Sequence, residues 1–308
     1  MKKILFFASA VIVTLFAGAC QREEVAAVAD EVAVNISLQL PSDLQTKAMA
    51  MAELTDIVYY EIWNSDWSKK LYPESGQTVA SAVVEDRQAT LELTLVSSQT
   101  YNFIFWAQNE ACGAYDVADL KSVKVDYSVI GAEGNQDKFD AFYAVKAITV
   151  TGPINETVTL YRPFAQLNFA ADTMETTFGD VTVGLTSITV NRLATVFNTI
   201  SGLGESETTD VVFAANGIAT DETLSVNGES YAWITMDYML MMSDKDAVEV
   251  EAVFNLGMDA PVEHTVLNVP LKKNYRTNIV GDLFTTDAQL IIDIQPAFLQ
   301  PDEVVTLN

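Results

Sequence analysis

The segment Val32–Leu40 constrains the fold more than any other part of the sequence. Apolar side chains occupy every second position, and small or polar residues stand between them. A period of two is typical of a β-strand with one buried face, because successive side chains of a strand point to opposite sides. Pro41 follows at once and predicts the end of the strand. The predicted inward residues are Val32, Val34, Ile36, Leu38 and Leu40.

The rest of the chain repeats this theme. Short runs rich in β-branched and aromatic residues alternate with Gly, Asn, Asp and Pro, which predicts an all-β fold built from sandwiches. Asn227-Gly228 predicts a tight hairpin, and Tyr115–Lys121 predicts a short helix. Further strands are predicted at Ile57–Ile62, Thr90–Val96, Tyr101–Trp106, Thr157–Ala170, Val181–Val190, Tyr231–Met239, Ala247–Leu256, His264–Leu271 and Ala288–Ile294.

The length of 308 residues favours two sandwiches in tandem over one, since more than 250 residues remain after the N-terminal segments. We expect residues 1–19 to be an export signal and residues 20–47 to be a tether with the first strand. Residues 48–158 and 159–308 are then the N-terminal and C-terminal sandwiches.

The N-terminus predicts a lipoprotein signal. Lys2 and Lys3 precede the apolar run Ile4–Phe16, and small residues lead to Cys20. This order is similar to a bacterial lipobox, in which the cysteine thiol is acylated, although the usual Leu is replaced by Ala17. The alternative is an ordinary secretory signal cut near Ala19. No other run is long and apolar enough to predict a membrane span.

Charge and residue counts limit the possible functions. A formal net charge of −25 disfavours nucleic acid as a partner, which requires basic patches. The single histidine, His264, and the single cysteine beyond Cys20, Cys112, are too few for a common zinc site. We predict a surface or strand-end position for His264, a buried position for Cys112, and no catalytic, cofactor-binding or metal-binding residues. A glycosidase carboxylate pair is a weaker alternative, because 42 acidic residues make many such pairs inevitable.

Four aromatic residues form a cluster in sequence: Tyr59, Tyr60, Trp63 and Trp67. Core and strand packing is the favoured interpretation. The alternative is a platform for stacking sugars, which would make the chain a glycan-binding surface lipoprotein that does not polymerise.

Taken together, these features resemble the Bacteroidales fimbrillins, the subunits of type V pili. The resemblance comprises the lipobox at Cys20, the alternating strand, and the basic residue Lys47 in the following loop. The segment Leu160–Phe169 is similar to an Arg-x-x-Ala segment of that family. Asn274–Gly281 followed by Leu290–Ile294 is similar to its C-terminal pattern.

The resemblance implies two transthyretin-like sandwiches and an acylated precursor on the outer membrane and cell surface. It implies cleavage after Lys47, which makes Ala48 the new N-terminus, whereas the family usually has arginine at this position. Other fimbrial subunits are the implied partners through strand exchange, with the lipid anchor in the precursor and surface ligands on host or bacterial cells as further partners. The candidate donor residues are Leu290, Ile292, Ile294, Val304, Val305 and Leu307.

The residues make such an exchange physically reasonable. Burial of five apolar side chains is worth about 7–15 kcal/mol in total, so removal of Val32–Leu40 would uncover a costly apolar groove. A strand from another subunit can restore both the backbone pairing and the apolar contacts.

Overall fold

The computed structural model describes residues 30–41, 54–74, 76–134, 136–172, 177–178, 181–182, 186–207, 210–215, 223–243, 245–256, 260–286 and 289–296. Nearly all regular structure in these ranges is β, which confirms the predicted all-β class. The helical elements are α1 (Tyr127–Glu133) and two 3-10 turns, at Glu110–Cys112 and Asp137–Phe139.

Ten strands lie in the first half of the chain and thirteen in the second, within the described ranges. The first ten are β1 (Glu31–Gln39), β2 (Ile57–Asn64), β3 (Lys70–Tyr72), β4 (Ala80–Val83), β5 (Gln88–Val96), β6 (Gln99–Gln108), β7 (Tyr115–Asp116), β8 (Ser122–Val125), β9 (Ala141–Val150) and β10 (Ile154–Thr159). The others are β11 (Phe164–Ala171), β12 (Thr177–Phe178), β13 (Val181–Thr182), β14 (Thr186–Val190), β15 (Ala194–Asn198), β16 (Leu203–Glu207), β17 (Val211–Ala215), β18 (Thr223–Val226), β19 (Glu229–Leu240), β20 (Lys245–Phe254), β21 (Val262–Lys272), β22 (Tyr275–Gly281) and β23 (Ile291–Pro296).

Two sheets enclose the core of the first half. One has the order β10-β1-β5, and the other has the order β3-β2-β6-β9, with β4 also paired to β2. Side chains from both sheets form one buried apolar cluster that includes Val58, Phe103, Phe105 and Phe142. β6 is buried on both faces along most of its length, as its continuous apolar run predicts for a central strand.

β1 is the middle strand of its sheet. It runs antiparallel to β5, with Glu31 opposite Val96 and Gln39 opposite Gln88, and it runs parallel to β10. The prediction that this segment forms a paired strand is therefore confirmed.

The second half has its own pair of sheets. The larger has the order β18-β19-β11-β22-β23, and the smaller has the order β17-β14-β20-β21. Between them lies an apolar cluster in which the rings of Phe169 and Phe254 are 6.3 Å apart. The predicted hairpin is confirmed, since Asn227 and Gly228 both have positive φ between β18 and β19.

The segment between β6 and β9 packs against the second half of the chain. β8 pairs with β15, and β7 and β16 complete that four-stranded sheet. α1 lies against β17, where a Cβ on Gly131 or Gly134 would overlap the backbone carbonyls of Val212 or Ala214. The two halves are thus joined by this shared sheet and by the contact of α1 with β17, as well as by the β10–β11 connection.

The helix predicted at Tyr115–Lys121 is wrong. Tyr115 and Asp116 form β7, and the Asp116 and Asp119 carboxylates accept hydrogen bonds from the backbone of Ala118 and Lys121, which builds a turn. The helix begins later, after Asp126, whose carboxylate accepts a hydrogen bond from the backbone N–H of Ser128.

The single strand predicted over Thr157–Ala170 is two strands, β10 and β11. The break falls at Arg162-Pro163, where the proline lacks a backbone N–H for sheet pairing. β10 belongs to a sheet of the first half and β11 to a sheet of the second, so this break is the crossover between the two.

Candidate functional site

The candidate functional site is the position that β1 fills between β5 and β10, which we call the seat of β1. It is chosen because it holds a long strand with one apolar face. The inward side chains are buried, with exposed fractions of 0% for Val34 and Ile36, 2% for Leu38 and 8% for Leu40. Val32, at the start of the strand, is only partly buried against the same cluster. Four of the five residues that the alternation predicted to point inward are therefore buried.

Both neighbours of β1 depend on it for pairing. Among the described strands, β10 pairs only with β1, and the named partner of β5 is likewise β1. If β1 were absent, one edge of β5 and one edge of β10 would expose unpaired N–H and C=O groups on either side of an apolar floor. The site is therefore a slot that accepts one strand, antiparallel to β5 and parallel to β10.

The exit end of β1 is held by backbone contacts. The Leu40 N–H donates to the Arg87 carbonyl at 3.0 Å, and the Leu160 N–H donates to the Gln39 carbonyl at 2.9 Å. The Arg87 guanidinium also donates to the Pro41 carbonyl. A cavity of about 10 Å³, near the size that one water requires, lies beside Leu38 and Leu40. None of these hydrogen bonds uses a β1 side chain, so the backbone of a different strand could make the same hydrogen bonds.

Several predicted site residues lie outside the described residues. These are the lipidation residue Cys20, the cleavage residues Lys47 and Ala48, and the donor candidates Val304, Val305 and Leu307.

The other donor candidates are placed far along the chain from β1, at the edge of the second half. Ile292 and Ile294 belong to β23, which pairs with β22, and Leu290 directly precedes it. Ile292 and Ile294 are 39% and 38% exposed. The Asn278 side-chain amide donates to the Asp293 carboxylate at 3.3 Å, which also fastens β23 to its neighbour. The structure thus separates the predicted removed strand from this part of the predicted donor.

A buried polar chain links the crossover to β23. The Arg162 guanidinium donates to both oxygens of the Asp140 carboxylate, at 2.7 and 2.5 Å, and both side chains are buried. Hydrogen bonds continue from Arg162 through side chains of β11 and β22 to β23. The successive partners are Gln166, Asn168, Asn278 and Asp293.

Burial has the largest effect on the pKa of Asp140, the carboxyl at one end of this series of hydrogen bonds. Desolvation raises the pKa of the Asp140 carboxyl, and the adjacent Arg162 guanidinium acts in the opposite direction. Sequence analysis singled out Arg162 through the family resemblance and missed Asp140, Gln166, Asn168 and Asn278. The available signal was the pair of polar residues, Gln166 and Asn168, within the otherwise apolar run of β11, which is unusual for a strand buried on both faces.

The aromatic cluster is engaged in packing. Tyr59, Trp63 and Trp67 pack against the core of the second half, as the favoured interpretation predicted. The Lys121 ammonium lies 3.3 Å from the centre of the Trp63 ring and donates to the Trp67 carbonyl at 2.8 Å. Desolvation lowers the pKa of that ammonium, and Asp119 and Glu61 act in the opposite direction. One face of Trp63 is therefore occupied, which removes support for a sugar-stacking platform here.

His264 and Cys112 have structural surroundings. His264 lies near the start of β21, as predicted, but it is buried instead of exposed, and its Nε2 is 2.9 Å from the Leu283 carbonyl oxygen. Cys112 is buried, as predicted, and desolvation raises the pKa of its thiol. Across the described ranges, no group of three or more His, Cys, Asp or Glu side chains could hold a metal ion. No helix in those ranges is long and apolar enough to cross a membrane.

Comparison with known proteins gives a family and a fold. Residues 25–308 match the model of a family of unknown function, DUF6562. None of the curated proteins matches the chain.

Three solved structures illustrate the likeness. A candidate cell adhesion protein from Bacteroides ovatus has 13% sequence identity and a TM-score of 0.50, covering 87% of this chain and 98% of that chain. A candidate cell adhesion protein from Bacteroides uniformis has 11% identity and a TM-score of 0.50, covering 86% and 97%. The tip fimbrial protein Mfa3 from Porphyromonas gingivalis has 10% identity and a TM-score of 0.48, covering 88% and 100%. At such identities the likeness establishes the fold alone, which this chain shares with the two cell adhesion proteins. The predicted resemblance to fimbrillins is in accord with this fold.

Proposed function

Because this chain belongs to the DUF6562 family, whose function is unknown, and has the fold of fimbrillin-like proteins, we propose that it is a structural and adhesive subunit of a cell-surface fimbria. In this proposal the precursor is exported through residues 1–19 and acylated at Cys20. Cleavage after Lys47 then frees β1, and a strand of another subunit replaces it. The role is structural and not enzymatic.

The observation that carries the proposal is the seat of β1. Burial of its four inward side chains contributes about 6–12 kcal/mol in gross terms, which is comparable to the whole net stability of a typical domain, about 5–15 kcal/mol. A first half that lost β1 would therefore be unstable or adhesive until another strand filled the slot. This property suits a subunit that must stay inert as a precursor and polymerise once processed.

Cleavage is an effective switch because it ends an intramolecular advantage. β1 leads through Pro41 into the segment that contains Lys47, so in the precursor it is tethered to its own slot. Such a tether gives an effective concentration in the millimolar range, which outcompetes a strand from another molecule. After cleavage β1 can dissociate, and a donor can bind between β5 and β10.

The geometry of the slot specifies the donor. It must place apolar residues at alternate positions, opposite the floor that Val34, Ile36 and Leu38 now cover. It must also run antiparallel to β5 and parallel to β10. The C-terminal candidates provide alternation at Leu290, Ile292 and Ile294 and again at Val305 and Leu307. The second group is the better donor, because the first is already paired with β22.

Proteolysis of the purified full-length precursor with a lysine-specific protease tests the proposal. We expect cleavage after Lys47 to produce polymers that resist dissociation in detergent, seen as a ladder by electrophoresis and as fibres by electron microscopy. Lys47→Ala should stay monomeric under the same treatment. Lys69→Ala, which changes an exposed turn lysine in the first half, is the matched control and should polymerise normally. Precursor that is cut after Lys47 and loses β1 but stays a stable monomer would contradict the proposal.

A further inference from the structure

A polar groove lies between the two halves of the chain, on the side of β10 that faces away from β1. It has a volume of about 470 Å³ and is bounded by β9, β10 and the loop 199–202. This volume is within the range of about 300–1,000 Å³ that is usual for small-molecule sites, which often occur where domains meet.

Hydroxyl groups dominate the lining of this groove. They belong to Tyr143, Thr157, Thr159, Tyr161, Thr199 and Ser201. Two of these hydroxyls are already engaged, which fixes the loop. The Thr199 hydroxyl donates to the Leu120 carbonyl at 2.8 Å, and the Ser201 hydroxyl donates to the Asn198 carbonyl at 3.3 Å. The strand edges add backbone polar groups, because no described strand covers the outer edge of β10, or that of β9 beyond the bridge between Tyr143 and Tyr161. Such a lining offers many neutral donors and acceptors to a ligand.

The charged side chains near the groove are already engaged by other groups of the protein. The Lys146 ammonium and the Glu156 carboxylate form an ion pair at 2.9 Å that joins β9 to β10. The Lys273 ammonium donates to the Gly202 carbonyl at 2.9 Å. With a formal net charge of −25 on the chain, an acidic ligand would meet general repulsion. These charges favour a neutral ligand.

The same ion pair disfavours an added peptide strand. A strand joining the edge of β9 or β10 would have to pass over Lys146 and Glu156, and charged residues at open edges are a usual protection against such pairing. At the other end, Tyr161 already closes the edge of β9 through hydrogen bonds of 2.9 Å in both directions with Tyr143. An added strand would therefore meet the ion pair along the edge and Tyr161 at its end.

The groove is held in shape before any ligand binds. The Tyr143 ring packs edge-on against Phe197, with 4.6 Å between ring centres. Gly202 has a φ of +70°, and a Cβ at this position would lie 2.7 Å from the Tyr143 hydroxyl. Only glycine therefore allows the loop to approach β9 so closely. A rigid site avoids the ordering cost that a flexible one incurs on binding.

We propose that this groove binds a short neutral oligosaccharide, through the hydroxyl groups of β10, Tyr143 and Tyr161. Sugars carry the dense array of neutral donors and acceptors that the lining can match. None of these residues belongs to β1 or β23, but Thr157 and Thr159 lie on β10, which pairs with β1. The uncleaved precursor, in which β1 is in place, is therefore the form to test.

Saturation-transfer NMR on the full-length, uncleaved chain tests the proposal with maltotriose, cellotriose and chitotriose as neutral probes. We expect at least one of them to bind, and Thr157→Val and Thr159→Val to weaken that binding roughly two- to tenfold each, as loss of one hydrogen bond predicts. Ser201→Trp, which fills the groove, should abolish it. Thr94→Val, an exposed position on β5 at the opposite edge of the same sheet, is the matched control and should leave the affinity unchanged.

Three results would overturn the proposal. The first is that none of the three neutral trisaccharides binds. The second is that binding survives Ser201→Trp and both threonine variants, which would place it elsewhere. The third is that trigalacturonic acid, or an extended peptide of alternating valine and threonine, binds in the groove and the neutral sugars do not. Since the uncleaved monomer is used, failure of polymerisation would not affect the outcome.

Discussion

At the scale of single residues, the ion pair between Arg162 and Asp140 has the largest expected effect on stability. Asp140→Ala would leave the guanidinium buried beside the crossover without its carboxylate. Such a loss costs about 3–5 kcal/mol, so we expect the urea midpoint of unfolding to fall strongly. Equilibrium unfolding of the full-length chain measures this directly.

An exposed ion pair in the same protein provides the control for that experiment. Lys124 and Asp116 are 3.1 Å apart with largely exposed side chains, and exposed pairs contribute about 0–1 kcal/mol. Asp116→Ala should therefore change stability little. The double variant Asp140→Leu with Arg162→Met should recover much of the loss, because it removes both members of the buried pair together. A midpoint unchanged in Asp140→Ala would show that this pair does not support the crossover.

The polar chain shows why some of the site could not be predicted from the sequence. Gln166 and Asn168 stand in an apolar run, and their pattern predicts a strand with one solvent-facing side. Both are fully buried, because their partners come from Arg162 and from Asn278, more than a hundred residues later. A single sequence contains no information on that pairing, since a buried polar group looks like an exposed one until its partner is known.

At the scale of elements, β1 should contribute to stability through one face only. Ile36 is fully buried, so Ile36→Ala should destabilise the precursor by about 2–5 kcal/mol. Ala33→Ser changes an exposed residue of the same strand and should have almost no effect. Urea denaturation of both variants tests the prediction, and equal destabilisation by the two would argue that β1 is not packed as described.

The C-terminal elements give a second prediction at this scale. Removal of residues 297–308 should leave the stability of the precursor unchanged, since β23 and its pairing with β22 remain. It should nevertheless block polymerisation, because the donor alternation at Val305 and Leu307 is lost. Denaturation and electrophoresis after Lys47 cleavage measure the two effects separately. Normal polymerisation of the truncated chain would assign the donor to another segment.

Prediction from sequence succeeded for elements whose signal is local. β1 was predicted from period two, β6 from its continuous apolar run, and the β18–β19 hairpin from Asn227-Gly228. It failed where distant contacts decide. Residues 115–121 have a helical pattern, but Tyr115 forms a strand instead. It pairs with Val125 and packs against Trp106, with 5.4 Å between the ring centres. α1 is too short to show a clear helical period.

At the scale of the whole molecule, the contacts that join the two halves lie outside β1. The crossover, the shared sheet of β7, β8, β15 and β16, and the contact of α1 with β17 join the two halves. β1, by contrast, is connected to the remainder through the segment that contains Lys47. A single cut there would release one strand and leave these joining contacts intact, which is the property that assembly by strand replacement requires.

Determination of the N-terminal residue of this protein in fibres sheared from the cell surface tests that claim most directly. We expect assembled subunits to begin at Ala48 and to lack residues 31–39, while precursor from the membrane fraction retains them and the lipid on Cys20. Fibres whose subunits begin at Cys20 and still contain β1 would contradict it, because the slot would then be occupied by the subunit's own strand.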